Sequence, residues 1–135
     1  MYKTLVEENF PEVLIPWVID KLYLIRYNIN MKEIIYYKLK NGKCPYLDWY
    51  NSLDKSIRLV VDRRIDRLKL GNFGIYKKFE NLTELKFKQG AGYRIYTFEV
   101  DDIVIILLVG GDKSTQTKDI KLAKTYLEEL KERYK

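Results

Sequence analysis

Residues 82–111 read LTELKFKQGAGYRIYTFEVDDIVIILLVGG, and the fold turns on this stretch. Over 82–88 the chain alternates, with Leu85 and Phe87 on one face and Glu84, Lys86 and Lys88 on the other, as in a half-buried strand. Gln89-Gly90-Ala91-Gly92 is a tight turn leading into a second strand over 93–100. Asp101-Asp102 turns again into 103–109, seven consecutive apolar residues. Such a run is expected to be a central strand, buried on both faces. Gly110-Gly111 then breaks it. The reading is a three-stranded antiparallel meander.

Upstream, residues 32–39 are short and rich in β-formers, which predicts another strand, closed by the turn pair Asn41-Gly42. Pro45 is suited to the first turn of a helix whose apolar stripe is Leu47, Tyr50 and Leu53. Asp54 is a plausible N-cap for a second helix, with Ile57, Val61, Ile65 and Leu68 at helical spacing and Gly71 as its C-terminal stop. Helices joined this tightly should form an αα-hairpin. Downstream of the meander, Gln116, Ile120, Ala123, Leu127 and Leu130 mark a closing helix. The expected fold is α+β, with an N-terminal strand, an αα-hairpin, the meander and a C-terminal helix. Helices on one face of the sheet would leave the opposite face, with Lys86 and Lys88, open and basic.

Residues 31–135 form one expected domain, without repeats or low-complexity linkers. Residues 1–30 are an N-terminal extension or a mis-assigned start. Val18, Leu22, Ile25 and Ile29 give them one amphipathic helical face. Pro16, Asp20, Lys21 and Arg26 interrupt the apolar run that a membrane span needs, and Glu7 and Glu8 do not suit a secretory signal. The protein is therefore expected to be cytoplasmic, without a membrane partner.

Composition narrows the chemistry. The 135 residues contain no histidine. This excludes Ser-His-Asp and Cys-His nucleophile arrangements and imidazole metal sites. Cys44 is the single cysteine, so there is no intramolecular disulfide, and without an activating neighbour it reads as structural. Catalysis, if any, falls to Lys, Arg, Tyr, carboxylates and backbone, with no metal or cofactor expected. The chain carries +6 with a pI near 9.2, a balance that suits polyanions. An AT-rich genome, with its surplus of Lys, Asn, Ile and Tyr codons, yields the same bias. Residues 1–30 hold three basic and four acidic residues, so the positive charge belongs to the rest of the chain.

Two groups of residues are candidates for function. Period-two spacing puts Lys86 with Lys88, and Arg94 with Tyr96, on shared faces of adjacent strands. Together they suit phosphodiester chemistry: Lys or Tyr moves protons and Arg neutralises a pentavalent phosphate bidentately. RNA cleavage of this kind carries its own nucleophile, the 2′-hydroxyl. A solvated strand face edged by Tyr96 is the competing reading. The second group is Gly110-Gly111-Asp112-Lys113-Ser114-Thr115, which lacks the glycine spacing of a phosphate loop. It lies at a helix N-terminus, where anions are held; Lys113 and Ser114 are its candidate RNA contacts, and Ser114 or Thr115 its expected helix cap. Trp49, Tyr46 and Tyr50 read as packing, and the arginines of the second helix as a solvated face.

Four segments in order, RIDRLKLGNFG (64–74), ELK (84–86), GYRIY (92–96) and GGDKSTQ (110–116), resemble the addiction-module killer proteins, a HigB-like branch of the RelE/ParE toxin superfamily. The resemblance runs from about residue 31 to the C-terminus. It implies a RelE/ParE-like α+β toxin of a bacterial type II toxin–antitoxin pair. The antitoxin, a DNA-binding protein encoded next to it, would join it in a hetero-oligomer. RelE-type members cut mRNA in the ribosomal A site, so ribosome and mRNA are implied partners. On that analogy Lys86 is a general base or phosphate contact and Arg94 stabilises the transition state. Lys88 positions RNA, and Tyr96 orients a group or donates a proton. The chain departs from relatives that use a C-terminal Tyr or His; Tyr126 and Tyr134 lie in the closing helix outside any matching motif. ParE-type members instead inhibit DNA gyrase without catalysis, a role the Arg-rich hairpin over 45–70 would serve. A plain RNA-binding module is the third reading.

Overall fold

The computed structural model describes residues 31–134; the amphipathic helix expected within residues 1–30 lies outside them. Among the described residues five strands and three helices follow in order: β1 (Glu33–Tyr36), α1 (Pro45–Asn51), α2 (Lys55–Lys69), β2 (Tyr76–Phe79), β3 (Leu82–Lys86), β4 (Arg94–Val100), β5 (Val104–Gly111) and α3 (Gln116–Arg133). A 3-10 turn, Lys113–Thr115, leads into α3. The sheet order is β1-β5-β4-β3-β2, with β1 parallel to β5 and every other pair antiparallel.

The meander therefore has four strands rather than three. The additional strand, β2, reads YKKF and lies at the sheet edge with three of its four residues exposed. An edge strand has only one neighbour and tolerates lysines that discourage further pairing, so it shows no apolar alternation. The apolar run at 103–109 is central as expected: β5 lies between β1 and β4, and Ile105, Leu107 and Leu108 are buried.

Both sheet faces are covered, which corrects the expectation of one open face. Leu85, Phe87, Ile95, Ile105 and Leu107 pack with Val61, Ile65 and Leu68 of α2 and with Tyr46 of α1. On the other face Leu82, Tyr96, Leu108 and Val109 pack with Ala123 and Leu127 of α3. The reason lies in β5. A register shift opposite Tyr96 and Thr97 leaves Leu108 without a cross-strand partner, a β-bulge that puts consecutive Leu108 and Val109 into the same cluster. The lengthened apolar surface on that side is what α3 buries.

Gly110 and Gly111 continue β5 rather than break it, and neither has a positive φ. Their role is close approach. A Cβ on Gly110 would collide with the Trp49 ring of α1, and one on Gly111 with the Asp119 carboxylate of α3. The helix ends are chemically specific. Gly71, with φ +85°, closes α2: its N–H donates to Leu68 O at 2.9 Å and that of Asn72 to Arg67 O at 3.0 Å, a Schellman cap. Asp101 and Asp102, with φ of +52° and +57°, are the left-handed central pair of the turn closed by Ile103 N–H donating to Val100 O at 3.0 Å, within a three-residue loop between the paired Val100 and Val104. Cys44 is buried and unpaired at the start of α1. Tyr46 packs in the core against Trp49 and Tyr50, whose ring centroids lie about 6 Å from its own. Among the described residues no helix is long and apolar enough to cross a membrane.

Candidate functional site

The register of β3, β4 and β5 sets Lys86 opposite Arg94, and Arg94 opposite Gly111, at one end of the sheet. One residue pair deeper, Glu84 is opposite Tyr96. Side-chain alternation turns Glu84 and Lys86 to the face that α3 covers, and α3 begins at this same end. The result is a buried carboxylate under a cationic rim.

Glu84 is fully buried. Its Oε2 accepts hydrogen bonds from the Tyr96 hydroxyl at 3.0 Å and from Gln116 Nε2, in the first turn of α3, at 2.9 Å. Arg94 Nε lies 3.7 Å from the same oxygen, and Lys86 Nζ lies 3.9 Å from Oε1. Neither Glu84 Oε1 nor Arg94 Nε has a hydrogen-bond partner among the described residues. A buried carboxylate is costly unless charges compensate it, and the two cations beside Glu84 supply that compensation. Arg94 is pinned a second time, by a 2.6 Å bond from Nη1 to Gly92 O. Its side chain is 13% exposed and that of Lys86 37%, so Lys86 is the more accessible of the pair.

Tyr96 is fully buried, and burial first, then the bond to Glu84, raises its pKa far above the ordinary phenolic value. Its hydroxyl faces Glu84. Neither the phenol nor that carboxylate is exposed, so Tyr96 offers a ligand no direct contact. Lys88 is exposed just past the end of β3.

The loop after β5 is ordered by Asp112. Its carboxylate accepts from the backbone N–H groups of Ser114 at 2.8 Å and Thr115 at 3.3 Å, and from Ser114 Oγ at 2.5 Å. Thr115 Oγ1 accepts from Asp112 N in return, completing a capping box. Asp112 thus caps the 3-10 turn, while Thr115 stands at the N-cap position of α3 as expected but makes no side-chain capping bond to it. The Ser114 hydroxyl bond is the main reason the Asp112 carboxyl sits below its ordinary pKa. An anion arriving at this turn finds the N–H groups occupied by Asp112 and the Ser114 hydroxyl committed to it. Lys113 remains exposed, and its N–H bonds Ala91 O at 3.3 Å, which sets the turn against the β3–β4 loop beside Arg94. Thr115 Oγ1 also bonds the buried Asp119, whose pKa is raised chiefly by desolvation.

Lys86, Arg94 and Tyr96 thus gather around one carboxylate, with Lys113 nearby and Lys88 beyond the strand end. Sequence reading missed the hub itself. Glu84 alternates with Leu85 just as a solvated strand residue would, and nothing local distinguishes it; the one signal is the strand face it shares with Lys86 and, across the hairpin, with Arg94 and Tyr96. In the sequence Gln116 stands out only as part of a helical stripe. Among the described residues there is no group of three or more His, Cys, Asp or Glu side chains placed to hold a metal ion.

Comparison with known proteins bears on this region directly. Residues 48–135, which include every side chain named around Glu84, match the family described as phage derived protein Gp49-like (DUF891). An uncharacterized protein of Haemophilus influenzae (strain ATCC 51907 / DSM 11121 / KW20 / Rd) is 48% identical over 85 residues, covering 61% of this chain and 85% of the relative.

Proposed function

The chain belongs to the Gp49-like phage-derived family, a toxin-like family associated with addiction modules, and on that premise we propose that it is a RelE/ParE-like toxin that cleaves mRNA on the ribosome. The observation that carries the reading is the pairing of Lys86 and Arg94 in register across β3 and β4, both within 4 Å of the buried Glu84. Two cations held by one inaccessible carboxylate are preorganised, so little reorganisation is needed when charge develops on a phosphate.

In the proposed reaction the 2′-hydroxyl oxygen attacks the neighbouring phosphorus and the bond to the 5′-oxygen breaks. The products are a 2′,3′-cyclic phosphate and a 5′-hydroxyl; water takes the proton from the nucleophile and returns one to the leaving oxygen. Lys86 contacts a non-bridging oxygen, and Arg94 stabilises the pentavalent phosphorus with its free guanidinium donors. Tyr96, Gln116 and Glu84 are positioning residues. Lys88 and Lys113 contact the flanking RNA backbone, whereas Ser114, committed to Asp112, does not. An antitoxin able to cover this basic rim would neutralise the protein, because uncompensated buried charge is costly.

The test is primer-extension mapping of mRNA 5′ ends after brief induction in a bacterial host, wild type beside Arg94→Ala. New codon-phased ends that vanish in the variant are expected. Growth arrest with intact mRNA refutes the endonuclease and favours gyrase inhibition; no arrest refutes the toxin reading.

A further inference from the structure

A second group of cations meets the same end of β3 from the α2 side. Arg64 is 6% exposed and, among the described residues, has no carboxylate partner. Its Nε and Nη2 donate to Phe73 O at 3.1 and 2.8 Å, Nη2 to Ile75 O at 2.7 Å, and Nη1 to Lys86 O at 2.7 Å. The guanidinium carbon lies 4.8 Å from the Phe87 ring centroid. Gly74, with φ +65°, also lies against the guanidinium, where a Cβ would come within 3.0 Å of it. A guanidinium has five N–H donors; one, on Nη1, is left over.

Arg64 thus stands at the edge of a cleft of about 230 Å³ whose lining includes Arg67, Asn72, Lys86, Lys88 and Gln89 and no described carboxylate. Arg67 and Lys88 are exposed and form no ion pair among the described residues. Asp66, adjacent to Arg67 in sequence, lines a neighbouring groove with Arg63 and Arg67 and pairs with Lys69 at 3.9 Å. Burial pulls the Arg64 pKa down from its ordinary value, as befits a buried cation with no counter-ion. Convergent cations in a compact concavity favour a small multivalent anion over an extended acidic surface.

We propose that this cleft is a phosphate-binding subsite that takes a phosphodiester of single-stranded RNA, next to the one held at Lys86 and Arg94. Arg67 and Lys88 are its direct ligands, and Arg64 is the fixed charge behind them. Lys86 borders both sites, so a strand crossing the end of β3 contacts the two in succession. The RNA assignment rests on the endonuclease reading; phosphate binding does not.

The test is an amide-resolved NMR titration of the full chain with inorganic phosphate at constant ionic strength. Saturable shifts at Gly74, Ile75, Lys88 and Gln89 are expected, weakened about tenfold in Arg67→Gln/Lys88→Gln and unchanged in Arg94→Ala. A non-cleavable 2′-deoxy oligonucleotide should also lose affinity in the double variant, with the salt slope reduced by about 1 for each side chain that no longer meets a phosphate. Diffuse, unsaturable shifts, or a double variant that binds like wild type, overturn the subsite. An acidic peptide that saturates the cleft where phosphate does not would overturn it too, in favour of a protein ligand. Saturable phosphate binding by a protein that does not cut mRNA supports the subsite and refutes the endonuclease reading.

Discussion

Replacing Glu84 by Ala tests whether the carboxylate is the keystone of the site. The substitution removes the acceptor of two buried hydrogen bonds, from Tyr96 and Gln116. It also removes the negative charge nearest Arg94 Nε and Lys86 Nζ. Each stranded donor costs about 1–3 kcal/mol, and breaking a buried charge arrangement from one side about 3–5 kcal/mol in all. Against a typical domain stability of about 5–15 kcal/mol this is a large share. For a urea m-value of about 2 kcal/mol/M, the unfolding midpoint should fall by about 2 M with little change in m. Glu84→Gln keeps the shape and one acceptor but no charge, and should fall between the two. Tyr96→Phe should cost less when combined with Glu84→Ala than in wild type, because its partner is already gone. A Glu84→Ala variant within ~0.5 kcal/mol of wild type, or additive effects of the two substitutions, would refute the reasoning.

Three further outcomes follow from other contacts. Gly110→Ala should destabilise by about 1–3 kcal/mol through overpacking against Trp49; thermal melts should show partial rescue by Trp49→Leu, and no rescue would argue against the collision. Asp112→Ala should cost about 1 kcal/mol as a lost cap. Because the folded Asp112 pKa is depressed, its contribution is present above the ordinary value of 3.8 and is lost as pH falls through the folded value, so wild type and variant should converge in acid-unfolding curves. Tyr37, whose pKa is held up to about 12 by burial and by its bond to Glu129, should titrate near that pH by tyrosine-selective NMR. The folded state keeps a proton that the unfolded chain gives up near the ordinary value of 10.0, so this stability is complete below that pH and is lost as pH rises to about 12; Tyr37→Phe should flatten that fall.

What was legible in the sequence was whatever a local pattern encodes. The run at 103–109 announced a strand buried on both sides, the spacing of Ile57, Val61, Ile65 and Leu68 announced α2, and Gly71 announced its stop. The misses have a common cause, that tertiary neighbours decide them. The β2 strand is defined by pairing with β3 rather than by apolar residues, and Leu108 reveals its bulge only against β4. Gly110 and Gly111 look like breakers until Trp49 and Asp119 are seen pressing on them. Glu84 carries the same disguise: a carboxylate alternating with leucine reads as solvated until α3 is laid over it. That Lys86 and Arg94 lie side by side on neighbouring strands is legible because hairpin register follows from turn length, whereas the burial of Tyr96 depends on α3, a helix that cannot be assigned to a face from its own stripe.

The position of β5 has a consequence for synthesis. Glu33 pairs with Val104 and Tyr36 with Leu107, so the first described strand waits about seventy residues for its partner, and the last strand made is the one that joins β1 to the rest. Non-local pairing of this kind is slow to form. A nascent chain that stops short of β5 leaves Arg94 without its neighbour Gly111 and Glu84 without Gln116, so interrupted products should be inert, and activity should arrive only when nearly the whole domain has been made.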